Sequence, residues 1–212
     1  MTLARDAETH DRLLAAAARL FASRGFKDVT VREICRQARA NVAAVNYHFG
    51  DKAGLYHEVL GKAIGTMQST TDAARQAGQG APPEQKLRAY IREFLHRVVG
   101  QSGDGWIHQL MMREMVDPTP ALDLIFEEVV RPRLAYVSEM VADILGRGAD
   151  DEEVLRCVLS IQSQCHAAMP NPMSKRLIWD LTSDARLDEL ADHIAELSIG
   201  ALRAVARTRQ TT

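Results

Sequence analysis

Thr30-Val31-Arg32-Glu33-Ile34-Cys35-Arg36-Gln37-Ala38-Arg39-Ala40-Asn41-Val42-Ala43-Ala44-Val45-Asn46-Tyr47-His48-Phe49-Gly50-Asp51-Lys52 contains three helix-start signals in close succession. Thr30 followed three residues later by Glu33 is a capping box: the hydroxyl takes a free backbone N–H and the carboxylate reaches back to the cap. It opens a helix of about two turns with Val31, Ile34, Cys35 and Ala38 facing inward. Asn41 caps another short helix, Val42 to His48, whose Val45 faces the same core as Phe49, and Gly50 ends it. Asp51 then caps a longer helix with the apolar stripe Leu55, Val59, Ala63, Ile64 and Met67.

Upstream, Leu13, Ala17, Leu20 and Phe21 recur at helical spacing from Asp6 to Arg24, the run Ala15–Ala18 favours helix, and Gly25 is a natural stop. Two short helices flanked by longer ones fit a helix-turn-helix, small enough to lay its second helix in a major groove. The same pattern also fits a plain corner of a helical bundle.

Charge is unevenly spread. The first 65 residues hold ten Lys/Arg against seven Asp/Glu, and the remainder 16 against 21, within a net charge of −2. Only the first segment suits a polyanion. Over the whole 212 residues, 46% hydrophobic and 25% charged residues describe an ordinary globular chain and exclude disordered and collagen-like classes. Uncharged runs fall far short of the roughly 20 apolar residues of a membrane span, and no apolar signal core follows Met1, so the chain reads as cytoplasmic with no membrane partner. Three cysteines without paired spacing fit a reducing compartment.

The residues Thr30-Val31-Arg32-Glu33-Ile34, Ala38, and Val45-Asn46-Tyr47-His48-Phe49-Gly50-Asp51-Lys52-Ala53-Gly54-Leu55, with Ala-Ala-Arg-Leu-Phe-Ala-Ser-Arg-Gly-Phe at 17–26, resemble the DNA-binding domain of the TetR family of bacterial transcriptional regulators. The resemblance spans about residues 8–60. It implies an all-α protein with an N-terminal helix-turn-helix domain, 1–60, and a larger helical ligand-binding and dimerisation domain, 61–212. It also implies that Tyr47 and Lys52 touch phosphates. Asn46, where the family often has an aromatic residue, could pair with adenine N6 and N7 or point at the backbone. Arg32 could reach a guanine or a phosphate or be a surface charge, and His48 could donate to a phosphate or cap its helix. Thr30 reads first as a cap.

Three positions depart from the family pattern. Val31 replaces a residue that often bears a hydroxyl. Arg39 stands where the turn usually has Gly, so either it adopts a left-handed conformation or the turn differs. Val42 and Ala43 leave an apolar entry suited to thymine methyl groups.

Beyond the break Ala77-Gly78-Gln79-Gly80-Ala81-Pro82-Pro83, helices are expected near 84–99, 104–116, 120–146, 150–168 and 186–207, with a kink at Arg131-Pro132. Trp106, His108, Met111, Met112 and Met115, with Phe94, Phe126 and Met169, suit a pocket for a hydrophobic or aromatic small molecule, and His108, Gln162 and His166 could give it polar specificity. The same Met and aromatic spacing also suits ordinary core. Arg113-Glu114-Met115 and the long helix containing Arg131-Pro132 resemble the antibiotic-responsive, CecR-like branch of the family.

The last helix carries two apolar stripes, Leu187, Leu190, Ile194, Leu197 and Ala201 beside Ala191, Ser198, Leu202 and Val205. Helix 150–168 is similarly two-sided, with Val154, Val158, Ile161 and Cys165 beside Leu155, Leu159 and Gln162. The resemblance implies that these helices form a homodimer interface, including Val154, Val158, Ile161, Leu190, Ile194, Leu197, Ala201 and Leu202. A purely intramolecular core is the alternative.

An enzyme is not expected. Cys165 and His166 point about 100° apart on a helix, no histidine set has metal-ligand spacing, no glycine-rich phosphate loop occurs, and Glu127-Glu128 and Asp150–Glu153 read as solvated or capping acids. No cofactor or metal is implied. The expected function is a homodimeric repressor that a small molecule releases from a near-palindromic double-stranded operator. The alternative is a DNA-binding adaptor whose bundle binds a protein.

Overall fold

Each short helix of the N-terminal segment begins at a side chain that accepts an otherwise unpaired backbone N–H. In the computed structural model, which describes residues 2–99, 105–169, 176 and 183–208, α1 spans Thr2–Arg24, α2 Val31–Ala38, α3 Val42–Phe49 and α4 Lys52–Ala77. The Thr30 hydroxyl accepts from Glu33 N at 3.3 Å while Glu33 Oε2 accepts from Thr30 N at 2.9 Å, which is the expected capping box. Asn41 Oδ1 accepts from Ala44 N at 2.8 Å, and Asp51 Oδ1 from Gly54 N at 2.8 Å.

The turn between α2 and α3 resolves the question raised by Arg39. Its backbone is left-handed, φ 51° and ψ 47°. Ala40 N then bonds back to Cys35 O at 2.9 Å, closing the end of α2. Arg12 Nε donates to Ala38 O at 3.2 Å, satisfying another terminal carbonyl. The strain of a non-glycine residue here is offset by the bonds that these donors and Arg39 N make to the Cys35, Ala38 and Arg36 carbonyls.

Downstream lie α5 (Pro83–Val98), α6 (Gly105–Val116), α7 (Ala121–Ile125), a π-helical turn (Phe126–Val130), α8 (Arg131–Leu145), α9 (Glu152–Ala167) and α10 (Asp184–Thr208). Asp104, the expected first residue of α6, lies outside the described residues. The kink expected at Pro132 takes the form of the π turn just upstream. Proline has no N–H for the Glu128 carbonyl four residues earlier, and Gln68 Nε2 donates to that carbonyl instead, at 3.1 Å.

The chain divides into two compact units, Met1–Thr66 with Gly103–Ile125 and Met67–Ser102 with Phe126–Thr212. In the first, α1 packs on α2, α3 and α6 around the fully buried Leu13, Ala17, Phe21, Ile34, Val45, Leu55 and Leu110. Burying each large aliphatic or aromatic side chain of this set contributes about 1.5–3 kcal/mol. In the second, α5, α8, α9 and α10 enclose a core including Leu87, Tyr90, Phe94, Val137, Met140, Val154, Val158, Ile194 and Leu202. Ion pairs line the α5–α10 seam, among them Arg88–Asp192 at 3.1 Å, Arg92–Asp188 at 2.9 Å and His96–Asp188 at 2.7 Å.

Candidate nucleic-acid interface

α3 has one buried side chain, Val45, and its opposite face is open. Val42, Ala43, Asn46 and Tyr47 are all exposed, with Tyr47 keeping 76% of its surface accessible. An exposed tyrosine with a free hydroxyl, next to an exposed amide, supplies hydrogen-bonding groups that the fold itself does not use. Arg32 is exposed on α2, and so are Arg36 one turn later and Arg39 in the turn. Among the described residues no carboxylate pairs with these three guanidinium groups. The sequence reading missed Arg36 and Arg39. The i, i+4 spacing of Arg36 from Arg32 and the place of Arg39 in the turn were the available signals.

Lys52 is held rather than loose. Its ammonium lies 4.4 Å from the Phe26 ring centroid and 3.5 Å from Lys27 O, at the first turn of α4. His48 is half-buried, with its ring 4.9 Å from that of Tyr47 and 5.6 Å from that of His10. His10 also stacks on Phe49 at 4.8 Å and meets Glu58 at 2.7 Å, fastening the end of α3 to α1 and α4. Thr30 is committed to its cap, since its hydroxyl proton goes to Glu33 Oε2 at 2.8 Å. Arg24 Nη1 bonds Glu33 Oε1 at 2.7 Å, and this guanidinium together with the Thr30 amide and hydroxyl holds the Glu33 carboxyl down at about 2.

Two glycines fix the α3–α4 turn. Gly50 has φ +77°, and a β-carbon on Gly54 would stand 2.0 Å from the Phe49 carbonyl oxygen. α6 braces this unit: Glu114, 3% exposed, receives hydrogen bonds from the Tyr56 hydroxyl and from Thr119 N at 3.0 Å, while Arg113 Nη2 caps Ser23 O at 2.9 Å.

The residues read as effector contacts fall into two sets. Trp106, His108 and Met111 are half-buried on α6, and Met112 and Met115 are exposed there, while Ile107, Leu110 and Glu114 form its buried face. All of these belong to the first unit. In the second unit Phe94, Gln162, His166 and Met169 come together. Phe94 and Met169 share one core, His166 lies 5.4 Å from the Phe94 ring, and His166 Nδ1 donates to Gln162 O at 2.6 Å. Phe126 is exposed on the π turn under Arg131. Two residues missed from sequence join this set: Tyr90, whose hydroxyl accepts from Gln162 Nε2 at 2.8 Å, and Arg133, 5.4 Å from the Phe94 centroid. Arg133 was legible as an arginine in the buried stripe Val129, Tyr136, Val137 and Met140.

The residues read as dimer contacts also divide. Val154, Val158, Ile161, Ile194 and Leu202 are buried in their own chain's core: on α9 these follow one of the two stripes, whereas on α10 the buried face cuts across both, taking Leu187 and Ile194 from one and Ala191, Ser198 and Leu202 from the other. Leu190 is half-buried, whereas Leu197 and Ala201 are exposed, as are Leu155 and Leu159 on α9. Among the described residues no group of His, Cys, Asp or Glu is placed to hold a metal ion, and no helix is long and apolar enough to cross a membrane.

Comparison with known proteins matches an N-terminal and a C-terminal segment separately. Residues 13–59 match the N-terminal family of bacterial regulatory proteins of the TetR type, and residues 83–202 match the C-terminal domain of the HTH-type transcriptional dual regulator CecR. The HTH-type transcriptional dual regulator CecR of Shigella flexneri is 30% identical over 154 residues, covering 68% of each chain. The fold is similar to that of a TetR-family regulatory protein from Rhodococcus RHA1, with a TM-score of 0.68 at 18% identity over 92% of this chain and 96% of that one. It is also similar to a TetR-family regulator from Streptomyces coelicolor, with a TM-score of 0.66 at 19% identity over 93% and 97%.

Proposed function

The chain belongs to the TetR family of bacterial transcriptional regulators, with a C-terminal domain of the CecR type, and on that premise we propose that it is a cytoplasmic homodimeric repressor released from its operator by a small molecule. The observation that carries the DNA-binding half of this reading is the open face of α3. Val42, Ala43, Asn46 and Tyr47 project from a short, doubly capped helix whose other side is locked by Val45. Residues 1–60 are the DNA-binding domain, and 61–212 bind effector and partner. Tyr47, Lys52 and His48 contact phosphates, joined by Arg36 and Arg39, while Asn46 and Arg32 read base edges and Val42 and Ala43 meet thymine methyls.

The dimer face is formed by the exposed apolar residues Leu155 and Leu159 of α9 and Leu197 and Ala201 of α10, with Leu190 at its margin. A two-fold arrangement of α3 helices matches a near-palindromic site with half-sites about one helical turn apart or a multiple of it. The effector is hydrophobic or aromatic and enters through the Phe94, Gln162, His166 and Met169 cluster of the second unit; Trp106, His108 and Met111 are separate candidate contacts within the first. Release requires that it bind the DNA-incompetent state more tightly. A tenfold preference shifts the equilibrium by about 1.4 kcal/mol.

The test is a fluorescence-anisotropy titration of the full chain against inverted repeats from the DNA flanking its own gene, with light scattering for mass. One dimer per duplex, a preference over scrambled duplex and a steep salt dependence are expected. A monomer with no preference for any duplex overturns the proposal.

A further inference from the structure

Arg133 occupies a core position of α8 but has no counter-charge among the described residues. Its Nη2 donates to Met67 O at 3.0 Å and its Nε faces Thr71 Oγ1 at 3.4 Å, both neutral acceptors. It is partly buried and crowded enough by protein that desolvation pushes its pKa below the ordinary arginine range. A guanidinium stays charged in proteins, so a desolvated one without a carboxylate is an unbalanced charge rather than a neutralised group.

Around it the polar groups are also incompletely matched. Tyr90, 1% exposed, accepts from Gln162 Nε2 at 2.8 Å, which leaves its own hydroxyl proton unplaced, and Gln162 Oε1 is buried with no partner. Turning the amide over gives Tyr90 an acceptor but leaves the two Nε2 hydrogens unplaced instead. With the amide turned over, the unplaced groups are two donors, and Arg133 adds a positive charge beside an apolar wall. Phe94 is the common neighbour, with the Arg133 carbon at 5.4 Å, the His166 ring at 5.4 Å and the Tyr90 ring at 6.0 Å from its centroid.

We propose that this cluster takes the oxyanion of an amphipathic organic anion, with Arg133 as its ion-pairing fork and Tyr90 and Gln162 completing the hydrogen bonds, while the apolar body lies against Phe94. This rests on the reading that the second domain binds an effector, and narrows that effector to an acid. A planar guanidinium fork matches a two-oxygen head, and a desolvated site makes each charge-assisted bond stronger than in water.

The test uses two fluorescent probes of similar aromatic body, the anion 1-anilinonaphthalene-8-sulfonate and the neutral N-phenyl-1-naphthylamine, titrated into the full chain. The wild type is expected to bind the anion at least tenfold more tightly. Arg133→Met removes that preference while keeping affinity for the neutral probe, Arg133→Lys retains part of it, and Arg92→Met, on the exposed side of α5, leaves it unchanged. Decanoate displaces the anionic probe, whereas decan-1-ol and inorganic phosphate at equal concentration do not. Circular dichroism of each variant separates site loss from unfolding. Equal binding of both probes by the wild type, an unchanged preference in Arg133→Met, or displacement by phosphate alone overturns the acid and leaves effector binding standing. Failure of the wild type to bind either probe overturns both.

Discussion

Tyr56 on α4 donates its hydroxyl hydrogen to the buried carboxylate of Glu114 on α6, 58 residues away in sequence. The same carboxylate receives Thr119 N at 3.0 Å and Thr119 Oγ1 at 2.8 Å, so one acidic group satisfies three donors inside the first unit. Glu114→Ala leaves the Tyr56 donor in an apolar setting, and a stability loss of about 1–3 kcal/mol is expected. Tyr56→Phe keeps the ring against Phe21 and Phe26 and leaves the Thr119 bonds in place, so its cost is smaller, about 1 kcal/mol. Urea unfolding followed by circular dichroism ranks the two, and a larger loss for Tyr56→Phe contradicts the assignment.

Gly54 and Gly61 are both helical glycines of α4 but should respond oppositely to alanine. A β-carbon at 54 meets the Phe49 carbonyl oxygen at 2.0 Å, a backbone atom that cannot swing aside, whereas at 61 nothing lies within 4 Å. Gly61→Ala should stabilise by about 0.5–1 kcal/mol through helix propensity. Gly54→Ala should destabilise by about 1–3 kcal/mol and weaken DNA binding, because the turn that orients α3 must open. Thermal unfolding and duplex titration of the pair decide it: stabilisation by Gly54→Ala refutes the close approach.

On DNA, phosphate and base contacts separate by their selectivity. Lys52→Ala and Tyr47→Phe are expected to weaken binding to all duplexes alike, and loss of the Lys52 charge should lower the slope of log affinity against log salt by about one unit. Lys52 is pre-positioned over Phe26, so Lys52→Arg should retain most of the affinity. Asn46→Ala should instead relax discrimination at one base pair by about 1–3 kcal/mol with little change in salt slope. A salt slope in Lys52→Ala equal to that of the wild type rejects the phosphate contact.

What the sequence revealed and what it concealed follow from the range of the interactions. The caps at Thr30, Asn41 and Asp51 and the glycine stop at Gly50 are decided within four residues, and the structure has each of them. Arg39 left two outcomes open, since the left-handed turn depends on whether Ala40 N reaches Cys35 O. Pro132 announced a disruption, but its form, a π turn upstream, depends on Gln68, some 60 residues away in sequence, supplying a donor to Glu128 O. Glu114 was invisible as a buried group because a carboxylate in an amphipathic helix reads as solvated until its donors are known. The double stripes of α9 and α10 were legible, yet periodicity does not say which stripe faces inward. On α9 burial assigns the inner one to Val154, Val158 and Ile161, while on α10 the buried face cuts across both stripes, with Leu187 and Ile194 from one and Ala191, Ser198 and Leu202 from the other.

Glu33 couples the reading head to pH. Its carboxyl is held at about 2, below the ordinary 4.5, first by Arg24 and then by the Thr30 amide and hydroxyl. A carboxylate with a lowered folded-state pKa contributes stability above its ordinary value, and that contribution disappears as pH falls from about 4.5 to 2. The wild type should therefore lose stability relative to Glu33→Gln across that window. The glutamine can still accept from Thr30 N but has no charge to lose. Glu33 is only half-buried and Arg24 is exposed, so salt screens their attraction, and the difference between the two proteins should shrink in 1 M salt. Unfolding curves of both proteins from pH 6 to 2 provide the measurement. A difference that stays constant with pH would mean that the charge on Glu33 does not matter and that the capping geometry alone holds the start of α2.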